Sequence, residues 1–447
     1  MKEELLTLAS KLVEKALGEG FSEAAVKITS SRRTMVKIAN SEPSVVQYWN
    51  TLNVGLYLVK DKKMLIVELE PSNIEELDKS IRELIGIADK IMESPFYAPL
   101  PKPDKKPEPI PGLVDDNIIK VLDNPVELAE AVIETAHRER IDFTAGAIDL
   151  AYTEKALATS KNVELYEDST RIQAYLRAFA GEDGSGQWAL GSRKLDRKKL
   201  EEMASIAARY AVDSRGRVDI EPGVYDIILS PMVFGNLLDL VGRMSSAFSM
   251  FMGMSMFVKN KPGDKVASEK LTLIDDARNP ELPGSTSFDD EGIPTYSKPI
   301  IENGVLRTIL HNSKTAAKVG AKTTGNAGWI TPMPWNLIVK PGTHSLEELI
   351  GEVKKGILVT NNWYTRLQNY VEGLFSTITR DALFLIENGK ITKPINKLRI
   401  ADSLSRLLNN IEALGRETYD IQWWEVRIPT RLPYVLIRQI HTSKHTI

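Results

Sequence analysis

Apolar residues near the start of the chain recur at helical spacing: Leu5, Leu6, Ala9, Leu12, Val13 and Ala16, with Gly18 and Gly20 ending the run. Strand-like stretches follow at residues 24–28, 34–38, 44–59 and 63–70, the last two joined by a Lys-Asp-Lys turn. Residues 74–92 return to helical periodicity, with Ser72 and Asn73 as candidate caps. The pattern then breaks. Residues 95–111 carry Pro95, Pro99, Pro101, Pro103, Pro107, Pro109 and Pro111, which predicts a semi-rigid linker or surface strap.

The order helix, strands, helix then returns without a repeat of the sequence. A helix is predicted over 124–140, with Pro125 in its first turn. Strands follow at 144–153, 163–166, 170–180 and 187–190, and a helix at 196–212. Each segment reads as a small α/β sandwich with a half-covered antiparallel sheet. Beyond residue 219 the chain opens with a strand at 224–229, which turns at Ser230-Pro231 into a helix reaching about residue 248. From Leu271 onward the signals are short strands with Gly and Pro turns. Ile-Glu-Asn-Gly occurs at 301–304 and again at 386–389, between strand-like runs. Asn-Gly there predicts two type I′ hairpins, whose central residues both need positive φ. The predicted class is α+β. Two small helix–antiparallel-sheet–helix segments (1–94 and 117–218) flank a Pro-rich linker (95–116), and a larger, mostly β C-terminal domain with helices spans 219–447.

At 447 residues the chain exceeds one ordinary core. A hydrophobic content of 43% and a charged content of 26% suit a globular protein. The net charge of −3 gives no broad field for nucleic acid or anionic membrane, so neither is an expected partner. Cysteine is absent, which removes disulfides, a thiol nucleophile and thiolate metal sites, and fits a cytoplasmic protein. Glu3, Glu4 and Glu14 argue against a signal peptide at the start. No uncharged apolar run approaches the ~20 residues that span a bilayer.

Several clusters have chemistry to weigh. Asp289, Asp290 and Glu291, before Gly292, are placed at a strand end. They suit a cation or a peptide ammonium group, or else a turn of capping acids. Met250, Met252, Met254 and Met256 alternate within residues 249–257, as an adaptable apolar surface for a peptide or subunit, or as a buried strand or loop. His311 closes a strand and is either a site residue or a loop histidine. His441 and His445 would have metal-like spacing on a helix, but the run before them reads as a strand. His137 falls at a helix end and His344 just before one. The glycine-rich 181–187 reads as a hairpin loop, and the charge run 192–199 as a solvated helix start.

Five phrases, in order, resemble the C-terminal region of the TldD/PmbA family. They are EPGVYDIILSPMVFGNLLDLVG (221–242), GDKVAS (263–268), FDDEGIPTYSKPIIENGVLRTIL (288–310), TTGNA (323–327) and GLFSTITRDALFLIENGKITKPI (373–395). With the two N-terminal segments, the resemblance covers nearly the whole chain. It implies where a zinc site would lie: the catalytic branch carries an HExxxH helix and a cysteine near the C-terminus. Here that stretch reads Leu238-Asp239-Leu240-Val241-Gly242-Arg243. Glycine and a carboxylate stay in register, but Leu238 has no lone pair, Arg243 stays protonated, and there is no cysteine. Asp239 and Arg243 can pair along one helix face while Leu237, Leu238 and Val241 pack, or can serve a bound peptide or a neighbouring subunit's site.

The resemblance therefore implies the PmbA-like (TldE) branch. That branch is cytoplasmic, holds no zinc itself and pairs with a TldD-like catalytic subunit or a second copy around a peptide substrate. Zinc is expected only in the partner. The alternatives are a self-sufficient peptidase with an unrecognised site and a regulatory binding protein of the gyrase-modulator type.

Overall fold

The computed structural model describes residues 2–71 and 73–445. The first helical stripe is α1 (Lys2–Gly18), which buries Leu5, Ala9, Leu12, Val13 and Ala16. Then come β1 (Glu23–Ala39), β2 (Glu42–Lys60), β3 (Lys63–Leu69) and α2 (Ile74–Ala88). The Asn73 side chain caps α2 by accepting from the Glu76 amide at 2.9 Å, while Ser72 lies outside the described residues. The second segment holds α3 (Asp116–Val121), α4 (Val126–His137), β4 (Phe143–Thr159), β5 (Val163–Ala180), β6 (Gly184–Ser192) and α5 (Arg197–Asp213).

Strands expected as pairs of short pieces are single long ones. Residues 24–28 and 34–38 both lie in β1, and 163–166 and 170–180 both lie in β5. The polar stretch between the first two, Ser30 to Arg33, is paired to β2 on one side and β4 on the other. Backbone pairing, and not side-chain burial, holds it extended. The helix expected over 74–92 stops at Ala88, and the one expected over 124–140 runs from Val126 to His137.

The two N-terminal segments share one antiparallel sheet of six strands, in the order β3-β2-β1-β4-β5-β6. The seam is the β1–β4 ladder, from Ala25 opposite Thr159 to Ile38 opposite Gly146. Strand alternation sorts the two faces. Val26 and Ile28 pack into the core with α1 and α2, whereas Ala25 packs with Trp329 of the C-terminal region. Residues 89–115 contain no helix or strand. This Pro-rich strap is pinned where Leu100 N donates to Glu23 Oε2 at 2.8 Å and Arg278 donates to the Glu108 carbonyl at 2.9 Å.

The C-terminal region opens with β7 (Val224–Leu229), α6 (Pro231–Met244) and α7 (Ala247–Phe251). Next are β8 (Leu273–Asp276), β9 (Ser297–Glu302), β10 (Val305–Leu306), α8 (Ser313–Val319), β11 (Leu337–Val339) and α9 (Leu346–Gly351). It continues with β12 (Lys355–Asn369), β13 (Leu374–Glu387), β14 (Lys390–Pro394), β15 (Leu398–Ser403), α10 (Leu404–Asn409) and β16 (Ile411–Leu414). The last strands are β17 (Tyr419–Trp423), β18 (Val426–Leu432) and β19 (Val435–Lys444). Strands β12, β7, β19, β15 and β13 pair in that order, and the β12–β13 pairing closes them into a ring. Closure removes the free edges that a small sheet would expose. A second sheet runs β10-β9-β8-β11-β18-β17. Both Asn-Gly turns have the expected backbone, with φ of 48° and 79° at Asn303 and Gly304, and 50° and 78° at Asn388 and Gly389. The fold is α+β, as the pattern predicts.

Candidate functional site

Helix α6 carries the stretch that corresponds to a zinc helix. Ser230 caps it by accepting from the Val233 amide, and Pro231 sits in its first turn, where no intrahelical donor is needed. The helix ends at Met244, so the turn expected to extend it to about residue 248 belongs instead to the separate α7. It packs against β7 and β12 of the ring and against β11, β17 and β18 of the second sheet. Only Leu240 and Arg243 are even partly exposed along it. A helix buried all round must pair every polar group it carries.

It does so. Leu238 is fully buried in the apolar core. Asp239, 5% exposed, uses both oxygens: Oδ1 accepts from the Arg427 and Ile428 amides at 3.0 and 2.8 Å, and Oδ2 accepts from Arg243 Nε at 2.7 Å. A Cβ on Gly242 would stand 2.9 Å from Leu337 Cδ1, so this glycine lets α6 approach β11. Asn236 donates to the Glu425 carbonyl at 2.8 Å and accepts from Asn362 and Thr365 at 2.9 and 2.6 Å. The positions of a zinc helix here hold a hydrocarbon, a carboxylate committed to two backbone amides, and a guanidinium. This set does not fit a zinc ion. Among the described residues, no group of three or more His, Asp or Glu side chains is placed to hold any metal ion.

The acidic cluster lies in a turn, not at a strand end. Gly292 closes it at φ 79°. Asp289 accepts from the Glu291, Ile293 and Ala327 amides at 3.0, 2.9 and 2.9 Å. Burial and the neighbouring Glu291 push its carboxyl above the ordinary value, while those amides act the other way. Asp290 pairs with Lys27 of β1 at 2.9 Å, and Trp329 Nε1 donates to its carbonyl. Glu291 forms a buried ion pair with Lys314 at 2.8 Å and also accepts from Ser313 N and Oγ. The Lys314 ammonium stands over the ring of the buried Tyr57 of β2. Phe288 packs on Leu157, Val163 and Leu165 of the N-terminal sheet. Asp290 thus fastens the C-terminal region to the N-terminal sheet, Asp289 and Glu291 tie the turn to its own region, and the three have few lone pairs left for an external cation.

Met250 and His311 converge. Ala247 N donates to the Leu310 carbonyl at 2.9 Å and Leu310 N to the Ser245 carbonyl at 2.9 Å, which lays the chain after α6 beside the chain before His311. Together they line a cavity of about 440 Å³ with Ala247, Phe251, Ile309 and Val319. Met252 is not in its wall and is 52% exposed. The methionine run is neither strand nor simple loop, because its start is the end of α7. Burial pushes the His311 imidazole below its usual value, so it is neutral at pH 7.

The remaining candidates stay apart. His441 lies on β19 with Nδ1 at 2.9 Å from Asp402, and His137 bonds Ser41 at 2.7 Å. His344 stands 3.0 Å from Glu352. The β5–β6 loop expected over 181–187 is shorter: residues 181–183 turn, and residues 184–187 already belong to β6. The charge run at 192–199 is only partly solvated: Arg193, 2% exposed, donates to the carbonyls of Thr170, Leu282, Pro283 and Ser285. Its guanidinium plugs a carbonyl cradle between the sheets. Arg193, Lys314 and Asn236 were missed as key residues. Only Asn236 had a local signal, as an amide inside an otherwise apolar helix.

Family profiles match along most of the chain. The PmbA/TldA metallopeptidase domain 1 matches residues 24–88, the central domain 118–215 and the C-terminal domain 222–444. A metalloprotease of Methanocaldococcus jannaschii is 28% identical over 316 residues, 67% of this chain and 69% of that one. A PmbA homolog of Buchnera aphidicola, also described as a metalloprotease, is 31% identical over 261 residues, 56% of this chain and 55% of its own. The crystal structure of TldE from Thermococcus kodakarensis shares the fold with a TM-score of 0.87 at 20% identity, covering 98% of this chain and 100% of that chain. A Thermotoga maritima structure named for modulation of a DNA gyrase does so at 0.84 and 24% identity, over 98% and 99%. No helix among the described residues is long and apolar enough to cross a membrane. By its three matched domains and its fold, the chain belongs to the PmbA/TldD metallopeptidase family.

Proposed function

We propose that this chain is a zinc-motif-free, TldE/PmbA-like subunit of a cytoplasmic peptidase complex. Its partner is a TldD-like chain that carries the metal. One observation carries the reading. Every position of α6 that would bind or serve a metal is committed to packing or to a structural hydrogen bond, as at Asp239 with the Arg427 and Ile428 amides. A carboxylate that holds two backbone amides and an arginine is poorly placed to act as a general base on water.

The metal chemistry then belongs to the partner. This chain contributes walls, water exclusion and sheet edges such as β14 on which an extended peptide can add as a strand. A reconstitution tests the proposal. Purified chain, the TldD-like chain and their mixture are each offered an unfolded casein fragment. Cleavage by the mixture well above either chain alone is expected. Cleavage by this chain alone after chelator treatment would instead support an independent hydrolase.

A further inference from the structure

We infer that the cavity shared by Met250 and His311 holds the apolar C-terminal residue of a bound peptide. The occupant's class rests on the reading of the chain as a peptide-handling subunit. The walls are apolar: Ala247, Met250, Phe251, Ile309 and Val319. A volume of about 440 Å³ lies within the range of ligand pockets and exceeds any one side chain. The thioether of Met250 is flexible and polarizable, which suits apolar groups of varied shape. Phe251 and Val319, 40% and 54% exposed, extend the apolar surface outward.

Two buried polar side chains break that lining, His311 and Thr324, and the Thr324 hydroxyl is taken up by the His311 backbone. His311 is 8% exposed, with Nδ1 at 3.2 Å from Thr315 Oγ1. The Thr315 hydroxyl donates to Asn312 Oδ1 at 3.0 Å within the cap of α8. The Nδ1–H therefore donates to Thr315, and this network assigns the lone pair to Nε2. Nε2 has no hydrogen-bond partner among the described residues. An unpaired acceptor on the cavity wall is open to a donor, and a peptide N–H entering the cavity would pair with it. Arg307 and Lys322 also line the cavity, and both are exposed. Arg307 pairs with Glu302, whereas Lys322 has no ion pair among the described residues and can meet a terminal carboxylate.

The test uses the full chain alone and a fluorescein-labelled heptapeptide ending in Phe-Leu with a free carboxylate, read by anisotropy. Saturable binding is expected, weakened about tenfold or more by C-terminal amidation or by Leu→Asp at the last position. Met250→Trp and Val319→Trp, which fill the cavity from two different helices, should each weaken it similarly with an unchanged melting temperature. His311→Leu should weaken it and His311→Gln should largely keep it, because the amide oxygen still accepts. Equal affinity for the acid, amide and Asp peptides would overturn the inference. So would binding unaffected by either tryptophan, or a site that takes decanoate but no peptide. Peptide binding by this chain with no cleavage by the reconstituted mixture would count against the subunit reading alone.

Discussion

Asp239 and Arg243 lie one turn apart on α6 and pair at 2.7 Å, while the other oxygen of Asp239 holds the amides that open β18. The carboxylate that keeps the register of a catalytic glutamate is a tether between helix and sheet. Asp239→Ala should cost about 2–3 kcal/mol, since one buried and one part-buried amide lose their acceptor. Asp239→Asn, which keeps an oxygen for them, should cost less. Urea titration of the two variants checks the order. Equal and negligible effects would show that the tether is idle.

A buried ion pair within the C-terminal region stands at the seam with the N-terminal sheet, its ammonium over the Tyr57 ring. Lys314 and Glu291 have side-chain exposures of 2% and 0%. Lys314→Met leaves a buried carboxylate without its cation and should cost about 3–5 kcal/mol. Adding Glu291→Gln should recover part of that loss, because a neutral amide needs no counter-charge. A double mutant no more stable than Lys314→Met would contradict the pairing.

Glu167 gives the seam a pH dependence. It accepts from Ser287 N and Oγ at 2.6 Å and from Thr286 Oγ1 at 2.8 Å, with Lys155 at 3.5 Å. Burial pushes its carboxyl up, but the Lys155 charge and the bonds from Ser287 and Thr286 outweigh it, and the net shift is downward from 4.5. The folded state therefore favours the ionised form. That stabilisation is fully present above the unfolded value and fades as pH falls through the lowered folded value. The stability gap between the wild type and Glu167→Gln should be constant from pH 7 to about 5.5 and should shrink below about 4. A gap that does not change down to pH 3 would remove Glu167 from this role.

Arg193 is a further structural charge. Burial lowers its guanidinium to about 10, so it remains charged at neutral pH and serves four carbonyls. Arg193→Ala should cost about 3 kcal/mol or more by leaving those acceptors buried. Arg193→Lys should recover only a part, since an ammonium lacks the planar fork. Thermal melts of both variants give the comparison.

What the chain showed by itself was mostly local. Ser230-Pro231 before an apolar run located α6, and the two Asn-Gly pairs located the hairpins. The missing metal ligands were also readable, because an aliphatic and a cationic side chain at Leu238 and Arg243 need no structure to interpret. The hidden features are long-range. Nothing in β1 indicates that its second partner is β4, more than a hundred residues on, so the shared sheet was invisible. Arg193 sits in a run of charges and looks solvated, and three of its four carbonyls lie 89 to 92 residues away. Met250 and His311 meet only because the chain after α6 pairs with the chain before His311.

Metal content of the tag-free protein, purified alone, is the most direct test. Elemental analysis after dialysis against micromolar zinc should find far less than one equivalent, unchanged in Asp239→Asn. One tightly held zinc per chain, lost on substitution of its own side chains, would contradict the assignment of α6 as a structural helix.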